Sequence, residues 1–316
     1  MKYLVTGSCG FIGSNLVDML VEQGHEVVGI DNLSSDAHDE FYFNPKATYY
    51  HYDITDYVMC SQVFERHRPD VVFHLAAEAR IQNCMNDPGR CMETNVMGTQ
   101  TMLSLCRKHD NGSASRMVFM STSAIYGLSE STQFGVGYSS QKETDSIDCL
   151  NAYSYSKYFG EQLCKMYSAN YGLDTVCFRG FNIYGNRMPK KGQYALVMGI
   201  FNRQIDNKES LTIVGDGNQR RDFIHVSDVC RGLIAGATSS RKQNGAVYNL
   251  GYGKNYSIND VADMMTKAKY HKVQHTYIPP RNGEAKVTLA DISKIRASLG
   301  WEPQITLDEW IGNKNG

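Results

Sequence analysis

The sequence has no Lys/Arg-rich block, no Cys-x-x-Cys pair and no long apolar run. Its 32 basic and 33 acidic side chains leave a net charge of −1, so nucleic acid is not expected as a partner. Nine cysteines, an odd number without metal-ligand spacing, argue against a disulfide framework or a zinc site and for a reducing compartment. No apolar stretch nears the roughly 18 residues that cross a bilayer. The opening Met-Lys-Tyr-Leu-Val-Thr enters a strand at once, so no signal peptide is expected. Repeats and low-complexity tracts are absent too. A cytoplasmic globular protein without a metal site is expected, and 316 residues with 42% apolar and 21% charged content suffice for a substantial core.

What is present is strand–helix alternation. Lys2–Thr6 reads as a strand, Phe11–Gln23 as a helix with apolar spacing at Ile12, Leu16, Met19 and Leu20, and Glu26–Asp31 as the next strand. Val71–Leu75 and Arg116–Ser121 read as further strands, with a helical stretch Asn95–Lys108 between them. The pattern predicts an α/β fold: a Rossmann-type doubly wound parallel sheet over residues 1–180. Beyond 180 the rhythm changes to a loop at Gly185–Tyr194, helices near 195–206, 226–238 and 257–269, and short strands near 211–214, 246–249 and 273–277. Residues 181–316 are therefore expected to form a smaller mixed α/β substrate domain, with short excursions back to the first.

Two motifs carry chemistry. Gly7, Gly10 and Gly13 follow a strand and open a helix, where a tight turn and free amides suit a pyrophosphate. Asp31 lies about 20 residues on, at the end of the second strand, where an acid binds a ribose 2′-hydroxyl and repels a 2′-phosphate. NAD is thus expected as cofactor, rather than NADP. In the middle of the chain Tyr153 and Lys157 stand four apart, on one face of a helix. A Lys ammonium there is expected to lower the phenol pKa from about 10 by roughly 1–3 units, making the tyrosine a base for a sugar or alcohol hydroxyl.

The Gly-x-x-Gly-x-x-Gly spacing resembles the extended short-chain dehydrogenase/reductase family. Asp53-Ile54, His74-Leu-Ala-Ala77, Asn95, Ser121-Thr-Ser-Ala-Ile-Tyr-Gly127 and the Tyr153/Lys157 pair stand at matching places. Phe178-Arg-Gly-Phe-Asn-Ile-Tyr-Gly185, Arg221-Asp-Phe-Ile-His-Val226 and Arg281-Asn-Gly-Glu-Ala-Lys286 look like its nucleotide-sugar branch of epimerases, dehydratases and decarboxylases. The resemblance implies a catalytic set of Tyr153, Lys157, Thr122 and Ser123. Cofactor contacts would come from Gly7, Gly10, Phe11, Ile12, Gly13, Asp31, Asn32, Asp53, Ile54, Leu75, Ala76, Ala77, Ser121 and Phe181, with Asn95 steadying the lysine helix. Sugar-nucleotide contacts would come from Arg80, Thr122, Asn182, Arg187, Arg221, Arg281, Glu284 and Thr288. His225 reads as a packed histidine rather than a base, and Tyr155 as structural.

The reaction is narrowed by subtraction. The family's dehydratases carry an Asp-Glu pair after the threonine, and its pentose-forming decarboxylases a Glu at the second of these places; here Ser123 and Ala124 stand there. That leaves 4-epimerisation of a UDP-sugar through a 4-keto intermediate. The alternatives are a dehydratase, decarboxylase or reductase of the same family with its acid supplied from elsewhere, or a non-catalytic NAD-binding protein. In the 4-epimerases the seventh residue after Arg281, here Thr288, gates the sugar's C2 side; a small residue admits N-acetylhexosamine beside hexose. A uronic acid is admitted if Arg80 or Arg187 meets its carboxylate. The resemblance also implies a homodimer through the helices near 95–108 and 152–170.

Overall fold

The computed structural model describes residues 1–35, 40–108, 116–128, 139–189, 197–268, 273–280 and 285–313. In the first half, strands β1 (Lys2–Thr6), β2 (Glu26–Ile30), β3 (Thr48–Tyr50), β4 (Val71–His74), β5 (Arg116–Thr122) and β6 (Thr175–Gly180) alternate with helices α1 (Phe11–Glu22), α2 (Tyr57–His67), α3 (Ile81–Asn86), α4 (Pro88–Met92), α5 (Gly98–Lys108) and α6 (Ala152–Tyr171). The predicted helix over 95–108 begins instead with a π turn, Glu93–Met97, that joins α4 to α5.

The second half contains β7 (Ile183–Tyr184), α7 (Val197–Asp206), β8 (Leu211–Val214), β9 (Arg220–Asp222), β10 (Ile224–His225) and α8 (Val226–Thr238). It continues through β11 (Ala246–Leu250), β12 (Asn255–Ser257), α9 (Ile258–Ala268), β13 (His275–Ile278), α10 (Ser293–Leu299) and α11 (Leu307–Asn313).

Seven parallel strands form the central sheet in the order β11-β6-β5-β4-β1-β2-β3. The edge strand β11 comes from the second half of the chain, and α8 packs against α1. Side chains alternate between the faces, as a sheet covered on both sides requires. Tyr3, Val5, Phe73, Val118 and Phe178 enter one core; Leu4, Val72, Met117, Phe119 and Cys177 enter the other. A third core, around Tyr184, Phe201, Ile213 and Val261, holds the smaller two-stranded sheets of the second half.

The strand order reverses between β1 and β4, and ligands bind such sheets at the carboxyl ends beside this reversal. The loops after β1, β4, β5 and β6 all emerge there, and they carry most of the predicted residues. Among the described residues no helix is long and apolar enough to cross a membrane.

Candidate active site

The glycine turn is dictated by space. Gly7 has φ of 68°, and a Cβ on it would lie 2.8 Å from the Ala76 amide nitrogen. A Cβ on Gly13 would run into the Gly7 carbonyl oxygen. Gly10 is the N-cap of α1 and has no side chain to satisfy the first amides of the helix; Phe11 and Ile12 form its first turn. Together these make a cradle of backbone donors at a positive helix end.

Asp31 closes the rim. Its Oδ2 accepts from the Cys9 amide and its Oδ1 from the Leu33 amide, both at 2.9 Å. Asn32 donates to Asp53 Oδ2 at 2.7 Å, while Thr55 donates to Oδ1 through its amide and its hydroxyl. Burial raises the Asp53 pKa, but these donors outweigh it and hold the carboxyl below its usual range. Ile54 is buried beneath Gly98, and Thr6 Oγ1 accepts from the Leu75 and Ala76 amides at 3.2 Å, fixing the turn that leads to Ala77.

The residues of α6 face the end of β5. A capping box between Asn151 and Ser154 starts the helix with the tyrosine inside its first turn, and Gly172 in the left-handed region ends it. The Tyr153 hydroxyl bonds to Thr122. Lys157, only 4% exposed, donates from Nζ to the Met120 carbonyl at 2.9 Å and lies over the Phe119 ring. The expected lowering of the tyrosine pKa is not found. Burial pushes the Tyr153 phenol up to about 12, against the bond from Thr122. The same burial brings Lys157 down to about 8, because desolvation disfavours the ammonium.

Thr122 also caps the short 3₁₀ turn Ser123–Tyr126, accepting from the Ala124 amide at 3.2 Å. Ser123 opens that turn. Asn95, 1% exposed, takes the Glu78 amide on Oδ1 at 2.7 Å and donates to the Glu78 carbonyl and to Ser156 Oγ. It thereby ties the loop after β4 to α6, between Tyr153 and Lys157. Two residues expected at the cofactor have side chains engaged within the protein. The Ser121 hydroxyl turns away from the cleft to Glu161 Oε1 at 2.6 Å, and the Phe181 ring is fully buried in the core against Tyr126.

Across the cleft, Asn182 donates to the Asp222 carbonyl at 2.8 Å and to Thr288 Oγ1 at 3.2 Å. Thr288 Oγ1 also accepts from the Asp222 amide. Asp222 itself is fully buried; burial lifts its pKa to about 6 against three backbone donors from Ala290, Tyr252 and Gly253. Arg221, on β9, donates to the Arg220 and Lys286 carbonyls at the edge of this group.

Arg80 caps α3, its amide donating to Glu78 Oε1 at 3.2 Å. Arg187 is engaged within the chain itself. It pairs with Asp18 of α1 at 2.6 Å and lies over the Tyr42 ring, so its guanidinium is engaged on the α1 side. Arg281 and Glu284 lie outside the described residues. His225 packs between Tyr184 and Trp310 and caps α8. Tyr155 points outward, 48% exposed.

Residues the sequence reading passed over are Glu161 and Arg179, which make a buried two-pronged ion pair behind Thr122. Their signal was the continued four-residue spacing Tyr153–Lys157–Glu161, which on a surface helix means only solvated charge.

Residues 4–313 match the sequence profile of the GDP-mannose 4,6 dehydratase family. A putative UDP-glucose 4-epimerase of Methanocaldococcus jannaschii is 34% identical, covering 99% of each chain. The chain belongs to this family. It stands in the nucleotide-sugar branch of the extended short-chain dehydrogenases/reductases, as the motifs indicate. A UDP-glucuronate 4-epimerase of Thermodesulfobacterium geofontis is 33% identical over 98% of this chain and 93% of its own. A dTDP-glucose 4,6-dehydratase of Shigella flexneri is 30% identical over 98% and 91%.

Among solved structures, the UDP-glucose 4-epimerase of Thermotoga maritima with UDP-glucose superposes with a TM-score of 0.89 at 32% identity, covering 99% of this chain and 96% of that one. The Thermus thermophilus UDP-glucose 4-epimerase complexed with NAD gives 0.87 at 28%, over 99% and 97%. Epimerases and dehydratases both lie within this range of similarity.

Proposed function

We propose that this protein is an NAD-dependent UDP-sugar 4-epimerase. The observation that carries the reading is the turn after Thr122. Tyr153 meets Thr122, yet the next two side chains are Ser123 and Ala124, and Ala124 contributes only its amide to the Thr122 hydroxyl. Elimination of water needs a further acid and base at the sugar, and this turn supplies neither. The cradle of Gly7, Gly10 and Gly13 with Asp31 and Asp53 suits a dinucleotide, and a relative of known structure binds NAD.

Bound NAD would supply the acceptor and donor of the C4 hydride, together with a positive nicotinamide ring. The chain's own residues do the rest. Tyr153 takes the proton of the sugar O4 as C4 is oxidised and returns it once the 4-keto sugar has turned over. Thr122 holds the phenol and, through it, O4. Lys157, fixed on the Met120 carbonyl, keeps a positive charge on the same helix face and favours the phenolate. Arg221 and Asn182 anchor the diphosphate while the sugar rotates, helped by Arg281 of the late motif.

Thr288 leaves the C2 side open, which supports hexose and N-acetylhexosamine. Because Asp18 holds Arg187, a uronic acid would depend on Arg80. Incubation with UDP-hexoses, UDP-N-acetylhexosamines and UDP-uronic acids, followed by mass and NMR analysis, tests the proposal. C4 epimers of unchanged mass are expected. A product lighter by one water would replace the reading with a dehydratase.

The same reading includes a homodimer. Ile81, Met85, Met97, Tyr155 and Phe159 are exposed large apolar side chains on the packed helices α3 to α6, a concentration that fits a partner surface.

A further inference from the structure

The helix face that carries Tyr153 and Lys157 does not end with them. Glu161, one turn on, is 1% exposed, and both of its oxygens are occupied. Oε1 accepts from Ser121 Oγ at 2.6 Å and Arg179 Nε at 3.0 Å; Oε2 accepts from Arg179 Nη2 at 2.8 Å. Arg179 Nη1 then donates to the Tyr126 hydroxyl at 2.9 Å, and that hydroxyl donates to Asn249 Oδ1 at 2.6 Å. Three residues at four-residue spacing on α6 therefore meet three consecutive residues of β5. Tyr153 meets the Thr122 side chain, Lys157 the Met120 carbonyl and Glu161 the Ser121 hydroxyl.

A buried ion pair is poor evidence for stability, since desolvating two charges offsets most of their attraction and apolar replacements are often neutral. What the pair does here is geometric and electrostatic. Its bonds to Ser121 and Tyr126 grip the chain on either side of Thr122. Around Lys157 stand His74 of β4, kept neutral chiefly by burial, and the sulfurs of Cys84, Cys91 and Cys164 from α3, α4 and α6. Glu161 is the carboxylate one turn away, and the Arg179 fork takes both its oxygens.

We infer that Glu161 and Arg179 are positioning residues for proton transfer at Tyr153, fixing the strand end that presents Thr122 and keeping the surroundings of Lys157 free of net charge. The inference rests on Tyr153 being the base. Neither residue reaches the cleft, so KM is expected to be unaffected.

Glu161→Gln removes one charge and keeps the shape, leaving the Arg179 cation unbalanced near Lys157. An added cation favours phenolate and disfavours ammonium, so the pH profile of kcat should move to lower pH by about one unit. Glu161→Gln with Arg179→Gln removes both charges and should return the profile to its wild-type position. In that double variant kcat should fall, by up to about a hundredfold for a displacement near 1 Å. Arg179→Lys keeps the charge but loses the fork; its profile should stay in place while kcat falls.

A kcat lowered evenly at every pH in Glu161→Gln, or one unchanged from wild type, would overturn the inference. If Glu161→Gln does not fold, Arg179→Lys and Ser121→Ala decide: both must lower kcat at constant KM, and wild-type kcat in both is the overturning result. Tyr153→Phe is measured alongside. Wild-type turnover in that variant removes the base assignment itself, a failure distinct from an unmoved profile in Glu161→Gln.

Discussion

Asn182 and Thr288, 106 positions apart in sequence, are joined by a bond from the Asn182 amide to the Thr288 hydroxyl at 3.2 Å. The residue assigned to the diphosphate and the residue assigned to the sugar's C2 side thus share one hydrogen-bonded unit, closed by the Asp222 amide on the same hydroxyl. On the proposed assignment, size selection and phosphate anchoring would be coupled at a single side chain.

Thr288→Tyr should narrow the substrate range. The ring takes the space beside C2, so kcat/KM for a UDP-N-acetylhexosamine is expected to fall at least about tenfold relative to UDP-hexose. KM should rise for both substrates, because Asn182 loses one of its two acceptors and keeps only the Asp222 carbonyl. Kinetics on the two substrates side by side check this; equal losses in kcat/KM would remove Thr288 as the gate.

Arg221 and Arg187 are expected to separate. Arg221→Ala should raise KM for the UDP-sugar by roughly tenfold to a hundredfold, the value of a charge-assisted bond, with a smaller change in kcat. Arg187→Ala should leave that KM within about threefold, since its guanidinium serves Asp18 and Tyr42, and a solvent-accessible pair of this kind contributes about 0–1 kcal/mol. Initial-rate measurements decide it, and the reverse pattern would return Arg187 to the substrate.

Lys157→Met should abolish most turnover and yet stabilise the fold near neutral pH. Burial lowers the Lys157 pKa from 10.5 to about 8, so unfolding lets the amine bind a proton more tightly. This penalty is fully present below pH 8 and fades as the pH rises towards 10.5, the range in which the unfolded chain holds more protons than the folded one. At about 1.4 kcal/mol per unit it amounts to a few kcal/mol, less whatever the bond to Met120 returns. Thermal unfolding across pH 7 to 10 should show an advantage for the variant that shrinks with alkalinity. A constant difference would mean that the amine is not buried as described.

Phe159→Glu tests the outer helix face. Phe159 is 46% exposed beside Tyr155, so a charge there leaves the monomer's core intact. Light scattering should show a dimer for the wild type and a monomer for the variant. A dimer in both would place the interface elsewhere.

The sheet, the glycine turn and the catalytic helix were legible because their signals are local. Val71–Phe73 and Met117–Met120 are unbroken apolar runs, Gly7 needs a positive φ, and Tyr153 and Lys157 share a face by spacing alone. The engagement of charged side chains was not legible. Arg187 and Arg221 look alike in sequence, and only the packing of loops against α1 gives one of them to Asp18. The Lys157 ammonium could be placed on the right face, but its choice of a backbone carbonyl, and the burial that raises rather than lowers the Tyr153 pKa, depend on the strand behind it. The short strand Thr48–Tyr50 and the helix Tyr57–His67 went unread; the helix's mixed polar sequence declares itself only through its Asp56 cap and its burial of Cys60, Val63 and Phe64.

The strand Ala246–Leu250, hydrogen-bonded along Thr175–Gly180, also bears on how the protein is made. A nascent chain that has reached residue 180 carries its glycine turn, its tyrosine and its lysine, but ends in a sheet with an open edge, the kind of surface that captures other strands. The ribosome must add about seventy more residues, at roughly 5–20 per second, before that edge is covered. For several seconds of each synthesis the nucleotide half therefore carries its chemistry while that edge is still open to other strands.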